Sequence, residues 1–210
     1  GNGHAANLQG ASWVKLDQGY AISIDGVDDY IDCAPERDLK LEGPVTIEAW
    51  VKPTRPGRGE AHLLGEGVAS YGLTFYNSNL CFFYISGGGN NLKEALEVGK
   101  WQHLAATFDG KQLGLWINGR QVGNAPSKKD QFESGGGFSI GTKGRPDLPR
   151  YQGLIDEVRL YNRAIDEKEI VAHFLAEAEN HELAISRAIP VAKDEATQFF
   201  QTHPDPINVQ

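Results

Sequence analysis

Short apolar runs separated by turn-forming residues fill most of the chain. The clearest case lies in the middle, where Asp109-Gly110 and Asn118-Gly119 separate apolar runs at 101–108, 113–117 and 120–122. Both dipeptides are typical of type I′ turns, in which the two central residues adopt positive φ. This segment is therefore predicted to form a three-stranded antiparallel meander.

Alternation of apolar and polar residues predicts further strands. Along residues 46–52, Ile47, Ala49 and Val51 share one face. Residues 154–161 alternate in the same way. Additional short strands are predicted at 20–24, 63–66, 71–76, 80–86 and 138–141. Short strands joined by turns, without helices between them, are typical of an all-β, two-sheet antiparallel β-sandwich.

One helix is predicted directly after the sandwich. Asp166 suits an N-cap, and Glu169 stands where a capping-box partner would. The pattern divides the chain into a sandwich at 1–165, a helical segment at 166–189 that docks on it, and a linker or tail at 190–210. The helix presents an apolar stripe of Ile170, Val171, Phe174, Leu175 and Ala178.

Charge and composition narrow the range of partners. The chain has 28 acidic and 20 basic residues, and its formal net charge is -8. Because a net negative charge repels the phosphate backbones of nucleic acids, no nucleic-acid partner is expected. No apolar run reaches the roughly 18 residues of a membrane-spanning helix. Cys33 and Cys81 could form a disulfide in an extracellular setting, but nothing in the pattern places their strands together, which favours buried thiols.

Five segments resemble a known family. They are GYAISIDGVDDYI at 19–31, GPVTIEAWVKP at 43–53, GKWQHLAATFDG at 99–110, LWINGRQV at 115–122 and GLIDEVRLYNRAIDEKEI at 153–170. In order and spacing they resemble the laminin-G-like jelly-roll domains of bacterial extracellular proteins, within the concanavalin A-like lectin/glucanase superfamily. The resemblance covers about residues 1–175.

This resemblance implies a two-sheet jelly roll in which the strand at 20–24 lies beside the strand at 154–161. It implies a module of a larger secreted, periplasmic or cell-surface protein. Many relatives bind polysaccharide, and some hold a calcium ion at the rim of a sheet.

A catalytic role is not expected. Glycan-hydrolysing members of the superfamily carry paired carboxylates on one strand face in a Glu-x-Asp-x-x-Glu pattern, which this chain lacks. Asp156 and Glu157 are adjacent, so in a regular strand they point to opposite faces. An accessory domain of a glycan-degrading enzyme, with an unrecognised site of its own, is the enzymatic alternative.

Aromatic residues on the polar faces of predicted strands are candidates for ligand binding, because flat rings with polar neighbours suit the C–H faces of sugars. The candidate set is Trp116, Tyr84, His103 and Tyr76. Trp50 has the same placement but is interpreted as core. A core role is equally open for Trp116 and Tyr84, and a structural hydrogen-bonding role is the alternative for His103.

A structural calcium site is predicted around Asp156, with Asp28 and Asp25 as further ligands. Asp156 is expected on the same strand face as Leu154 and Val158, so that its carboxylate points toward the core, where it needs a cation or hydrogen bonds. Aspartates crowd the turn after the neighbouring strand, and calcium prefers about six to eight oxygen ligands. The alternative is that Asp156 caps backbone N–H groups and Asp28 is solvated.

The leading functional hypothesis is a non-catalytic carbohydrate-binding or adhesion module with a polysaccharide or glycan as its partner. The alternative is a structural or protein-interaction spacer that docks neighbouring domains of the same parent chain. The helical segment and tail favour this alternative, because they suggest continuation into a neighbour.

Overall fold

The computed structural model describes residues 6–33, 39–59, 61–66, 70–85, 92–130, 132, 134–135, 137–141 and 150–183, together with the backbone of 207–208. The strands of the first half are β1 (Asn7–Gln9), β2 (Ser12–Lys15), β3 (Tyr20–Asp25), β4 (Tyr30–Asp32), β5 (Val45–Pro53), β6 (Ala61–Gly65), β7 (Tyr71–Phe75) and β8 (Leu80–Ile85). Those of the second half are β9 (Leu92–Ala95), β10 (Gln102–Phe108), β11 (Gln112–Ile117), β12 (Arg120–Pro126), β13 (Ser139–Ile140), β14 (Gln152–Tyr161) and β15 (Ile207–Asn208). One α-helix, α1 (Glu167–Glu177), follows β14 and continues into a 3-10 helix at Ala178–His181.

The strands form two antiparallel sheets that pack face to face, as predicted. The front sheet has the order β1-β4-β13-β6-β7-β8-β9. The back sheet has the order β12-β11-β10-β5-β14-β3-β2, and β15 pairs with β14 beyond the end of β3. The neighbouring placement of β3 and β14 is confirmed, because Ser23 pairs with Leu154 and Ile22 with Ile155.

The main core lies between the sheets and is built from alternate residues of each strand. On β5, Ile47, Ala49 and Val51 enter this core. The intervening residues Glu48 and Trp50 point to the other side, yet they too are fully buried. A central strand that is buried on both faces requires a second layer over the sheet. In this protein α1 supplies that layer.

The predicted meander is formed by β10, β11 and β12. Asn118 and Gly119 both have positive φ, which confirms the type I′ turn between β11 and β12. The turn at Asp109-Gly110 differs from the prediction. Only Gly110 has positive φ there, and the loop has a third residue, Lys111, whose N–H donates to the Asp109 carboxylate at 2.7 Å. The extra residue allows a three-residue hairpin loop instead.

Strand β14 contains an irregularity that overturns the predicted face of Asp156. Its register against β5 shifts between Asp156 and Arg159, and Glu157 has a φ of 50°. Such a bulge inserts an extra residue and reverses the alternation beyond it. Ile155 and Val158 therefore face the main core, whereas Asp156 lies on the outer face of the back sheet.

Helix α1 begins as predicted, with one difference at its cap. The Asp166 carboxylate accepts a hydrogen bond from the Glu169 N–H at 2.9 Å. The Glu169 side chain does not complete a capping box, because it forms a two-pronged ion pair with Arg163, at 2.7 Å for one of its two contacts. The predicted apolar stripe is buried against the back sheet, and Ile165 joins Ile170 in one apolar cluster.

Cys33 and Cys81 are buried and free, which confirms the prediction of thiols. The predicted continuation of the helical segment to residue 189 lies outside the described residues. Of the predicted tail, only the backbone pairing of β15 is described. Among the described residues, no helix combines the length and the apolar character needed to cross a membrane.

Candidate functional site

Helix α1 and the 3-10 helix after it cover the outer face of the back sheet. Three aromatic residues that the sequence places on the polar side of their strands lie under this cover. Trp50 packs against the Phe174 ring, and His103 packs against both of these rings. Trp116 is 7% exposed and lies in a cluster with Ile165 and Ile170. The rings of Trp116 and His103 are therefore buried beneath α1.

A buried ionisable network connects α1 to β5 and β10. The Glu48 carboxylate accepts a hydrogen bond from Nδ1 of His173 at 2.7 Å, and its other oxygen lies 3.6 Å from Nε2 of His103. Burial raises the pKa of Glu48, and the hydrogen bond from His173 acts in the opposite direction. Burial also lowers the pKa of His103 well below its ordinary value, so this ring is neutral at pH 7.

A second polar cluster ties the end of α1 to β5 and β14. The indole N–H of Trp50 donates to Glu177 at 2.7 Å, and Glu177 also pairs with Arg159. The His181 ring stacks on Trp50 with centroids 4.1 Å apart, and its Nε2 lies 3.1 Å from the Asp156 carboxylate. These contacts fasten the helix to the sheet, so the outer face of the back sheet is closed to a large ligand.

The four predicted ligand-binding residues therefore do not form one site. Trp116 and His103 lie on the outer face of the back sheet, beneath α1. Tyr84 and Tyr76 belong to the front sheet and the segment directly after β7. The outer faces of two packed sheets point in opposite directions, so the two pairs lie on opposite sides of the sandwich.

The outer face of the front sheet has a small polar site where one strand residue lacks a side chain, which we call the Gly72 notch and define by His62, Gly72 and Tyr84. Tyr84 pairs directly with Gly72 across β7 and β8. A Cβ atom placed on Gly72 would stand 2.9 Å from the Tyr84 hydroxyl and 3.2 Å from Cε1 of His62. A side chain at Gly72 would therefore clash, and its absence lets the Tyr84 hydroxyl and the His62 ring pack close to the strand backbone.

The histidine of the notch is electrically neutral. Burial lowers the pKa of His62 to about 4. Its Nε2 lies 3.3 Å from the Gly65 carbonyl oxygen, whereas its buried Nδ1 has no hydrogen-bonding partner among the residues that the structure describes. His62 is therefore a buried, neutral member of this site.

Aromatic side chains extend the notch along β8. Phe82 lies two residues from Tyr84 on the same face and pairs with Thr74. The Tyr76 ring meets Phe82 edge to face, with centroids 5.5 Å apart. All three aromatic residues are half-buried. Of the predicted ligand-binding set, Tyr84 and Tyr76 thus lie on one accessible surface, with Phe82 between them.

Residues 137–141 spell Gly-Phe-Ser-Ile-Gly, a pattern shared with the nucleophile elbow of serine hydrolases. In such an elbow the serine occupies a sharp turn between a strand and a helix. Here Ser139 lies inside the sheet, on β13 between β4 and β6. The Ser139 hydroxyl is 3.5 Å from the Gly141 carbonyl oxygen. The His62 ring contacts the Gly65 carbonyl oxygen and not this serine. The segment is a strand of the sheet rather than an elbow.

The aspartates after β3 form a compact cluster. Ligand atoms of Asp25, Asp28 and Asp29 all lie within 4.8 Å of one another. Asp29 is buried and accepts a hydrogen bond from the Asp25 N–H, and Asp25 accepts one from the Val27 N–H. The spacing and the exposed carboxylates of Asp25 and Asp28 fit a calcium ion, which these three residues would hold.

Asp156 is not part of that cluster. Gln152 is the residue of β14 that pairs with Asp25. Asp156 is four residues further along, which corresponds to roughly 13 Å of strand. Its carboxylate contacts His181 and the Glu157 N–H. The predicted ligand set is therefore divided, because Asp25 and Asp28 lie together and Asp156 belongs to the cluster beneath the helix.

The most exposed aromatic residues in the described part of the chain are two that the sequence analysis did not select. Trp13 on β2 is 55% exposed and Tyr20 on β3 is 57% exposed. The other three tryptophans are buried. A sequence signal does exist, since Trp13 stands in a short strand next to Ser12 and Lys15 and Tyr20 follows the Gly19 turn. An edge hairpin of this kind has few residues to cover it.

Comparison with solved structures shows the same architecture at low sequence identity. The binding domain of botulinum neurotoxin serotype G superposes with a TM-score of 0.67 at 10% identity, over 84% of this chain and 48% of that one. Domain 4 of AbnA, a GH43 extracellular arabinanase from Geobacillus stearothermophilus solved in complex with arabinotriose, superposes with a TM-score of 0.60 at 17% identity. The match covers 77% of this chain and 79% of that one. Trypanosoma rangeli sialidase superposes with a TM-score of 0.61 at 19% identity, over 83% of this chain and 30% of that one.

The chain thus spans about half of the neurotoxin binding domain and under a third of the sialidase. A laminin-G family model, described as the concanavalin A-like lectin/glucanases superfamily, matches residues 25–171. Most of the sandwich and the beginning of α1 lie within this match. The chain therefore belongs to the concanavalin A-like lectin/glucanase superfamily as a laminin-G-like domain.

Proposed function

We propose that this domain is a non-catalytic carbohydrate-binding or adhesion module of a larger secreted or cell-surface protein, with a polysaccharide as its ligand. The observation that carries the proposal is the row of half-buried rings of Tyr84, Phe82 and Tyr76, which lies beside the Gly72 notch on the outer face of the front sheet. The other outer face is closed by α1.

The chemistry of this row of rings suits a sugar. The Tyr84 hydroxyl and the His62 ring are buried, so the half-buried rings themselves form the surface that a ligand would contact. The rings of Phe82 and Tyr76 continue the same surface and offer apolar contact to C–H groups. A site with a few convergent polar groups beside aromatic rings is typical of small-ligand recognition.

The structural neighbours support a binding role. One is domain 4 of an extracellular arabinanase, solved in complex with arabinotriose, and another is the binding domain of a neurotoxin. A non-catalytic role is consistent with the sequence, in which no strand carries the paired carboxylates of the superfamily's glycan hydrolases.

The test is a glycan array probed with the chain, followed by affinity measurements on two matched variants. Phe82→Ala removes the central ring of the row and should weaken glycan binding roughly 10-fold, because an aromatic contact contributes about 0.5–1.5 kcal/mol. Leu154→Ala removes a half-buried apolar side chain from the back sheet and should leave affinity unchanged.

Equal affinities for wild type, Phe82→Ala and Leu154→Ala would remove the row of rings on the front sheet from the proposal. Failure of the folded wild-type chain to bind any glycan would overturn the carbohydrate-binding function itself. That result would favour the spacer or protein-interaction alternative.

A further inference from the structure

The hairpin formed by β2 and β3 presents an exposed aromatic surface at the edge of the back sheet. Trp13 pairs with Ile22, and Lys15 pairs with Tyr20. Directly paired residues of antiparallel strands share one face, so Trp13, Lys15 and Tyr20 project from the same side of the hairpin. We call these three residues the hairpin face.

The hairpin face continues the inner side of the back sheet beyond the edge of the core. Ile22 and Ile24, on the same face of β3, pack against or within the main core. Trp13 and Tyr20 extend past it and keep more than half of their surface exposed. Their diagonal positions on adjacent strands are roughly 7–8 Å apart, and their Cβ atoms are somewhat closer, a separation that one sugar ring can span.

The size of this surface favours a small ligand over a protein partner. Half of a tryptophan and half of a tyrosine amount to roughly 200 Å² of surface. A stable protein interface buries roughly 800 Å² on each partner. Val27, the other strongly exposed apolar residue, lies beyond the opposite end of β3, so it cannot enlarge the aromatic surface.

The chemistry of the neighbouring residues also suits a sugar. Lys15 stands directly opposite Tyr20, and Asp17 and Gln18 are exposed in the turn that joins the two strands. A pyranose has apolar C–H faces and a polar hydroxyl rim, which match flat rings bordered by polar side chains. Exposed rings held on paired strands also lose little conformational freedom on binding.

We propose that the hairpin face is a second glycan subsite, on which a pyranose ring of a polysaccharide stacks on Trp13 and Tyr20 while Lys15 donates a hydrogen bond to a ring hydroxyl. The inference rests on the proposed carbohydrate-binding function but not on the Gly72 notch, which lies on the other sheet. Two subsites on one domain would hold a polysaccharide at two points and raise its apparent affinity.

The test uses Trp13 as its own reporter, because Trp50, Trp101 and Trp116 are buried. Iodide should quench the fluorescence of Trp13 and leave that of the other three tryptophans largely unaffected. Soluble xylan, arabinan, laminarin, hydroxyethylcellulose and alginate are first compared by affinity gel electrophoresis. A polysaccharide that retards the chain should then protect Trp13 from iodide at constant ionic strength.

Variants connect this protection to binding. Trp13→Ala and Tyr20→Ala should each weaken retardation about 10-fold, and Trp13→Phe should retain most of it because a flat ring remains. Val14→Ala is the matched control, since Val14 lies on the same strand and points to the opposite face. Circular dichroism of each variant verifies that the sandwich is folded.

Three other outcomes overturn the inference. If a polysaccharide retards the chain without protecting Trp13, and only Phe82→Ala weakens binding, the hairpin face is not a subsite and the proposed function stands. If no polysaccharide binds, both proposals are wrong. If Trp13 becomes protected only as protein concentration rises, together with a larger mass in size-exclusion chromatography, the surface is a contact between copies of the chain.

Discussion

The carboxylate of Glu48, at the centre of the back sheet, accepts a hydrogen bond from His173 on α1 across 2.7 Å. Both side chains are buried, and the second Glu48 oxygen lies 3.6 Å from His103. A buried carboxylate is costly unless it is paired, so this contact joins the position of α1 to the stability of the sheet. It also explains why β5 carries an acidic residue between Ile47 and Ala49.

His173→Ala should therefore destabilise the domain strongly. The change leaves Glu48 buried without its hydrogen-bond donor, and breaking a buried pair from one side typically costs roughly 3–5 kcal/mol. Adding Glu48→Gln should recover part of this loss, because an amide avoids the uncompensated charge. Urea unfolding at pH 7 measures both effects.

The control for this pair is Glu167→Ala, which removes an exposed acid from the first turn of the same helix. It should cost only a few tenths of a kcal/mol. Independent, additive losses in the His173→Ala and Glu48→Gln double variant would show that the two side chains do not interact energetically.

His62 should make the domain less stable in mild acid. Its pKa is about 4 in the folded state and 6.5 in the reference state, because burial disfavours the charged ring. A lowered histidine pKa contributes stability that is fully present above pH 6.5 and is lost as the pH falls toward 4. Between pH 7 and pH 5 this loss amounts to roughly 2 kcal/mol.

Comparison with His62→Gln isolates this contribution, since glutamine does not titrate. The variant should lose less stability than the wild type between pH 7 and pH 5 in urea unfolding. His103, with a pKa lowered in the same direction, keeps part of the pH dependence in both proteins. Glu48, whose pKa is raised, opposes this loss of stability, because its contribution to the free energy of unfolding grows as the pH falls. Parallel pH profiles of the two proteins would contradict the prediction.

Periodicity predicted which residues share a strand face but not what covers each face. Trp116 and His103 were assigned to a polar side because their strand neighbours alternate with apolar residues. That side is covered by α1, whose apolar stripe was itself predicted. The missing information was the docking position of the helix, which depends on long-range contacts such as that between Thr46 and Arg163. The residues near Thr46 or Arg163 in the sequence do not indicate such a contact.

The position of Asp156 shows a second limit. A regular strand places it with Val158 and Leu160, as alternation predicts. The bulge at Glu157 reverses the pattern, and a left-handed glutamate is not signalled by residue type in the way that a glycine would be. By contrast, the turn at Asn118-Gly119 and the cap at Asp166 were predicted correctly, because both depend on the chemistry of one or two adjacent residues.

Cys33 and Cys81 should be unreactive in the folded protein. Burial raises the pKa of each thiol to about 12, so almost no thiolate is present at pH 8. Iodoacetamide should leave the native chain unmodified over hours and modify two thiols in denaturant without reductant, as counted by mass spectrometry. Rapid labelling of either cysteine in the native state would show that its strand opens readily, and the absence of thiols in denaturant would indicate a disulfide.

Calcium should stabilise the domain through the turn that contains Asp25, Asp28 and Asp29. Their carboxylates lie within 4.8 Å of one another, and like charges so close repel unless a cation or solvent intervenes. Backbone N–H groups use one oxygen each of Asp25 and Asp29, which leaves the others and the Asp28 carboxylate for an ion. For a dissociation constant of about 10⁻⁴–10⁻³ M, 10 mM calcium would add roughly 1.4–2.7 kcal/mol to the free energy of unfolding.

Thermal unfolding with calcium and with excess chelator measures this gain, and three aspartate variants show where the ion binds. Asp28→Asn should abolish most of the shift, because it removes an exposed ligand of the cluster. Asp17→Asn, an exposed aspartate in the turn before β3, should leave the shift intact. Asp156→Asn should lower stability equally with and without calcium, since Asp156 contacts His181 beneath α1. An unchanged midpoint in the wild type would exclude the ion, whereas loss of the shift in Asp156→Asn alone would place it at β14 instead of the turn.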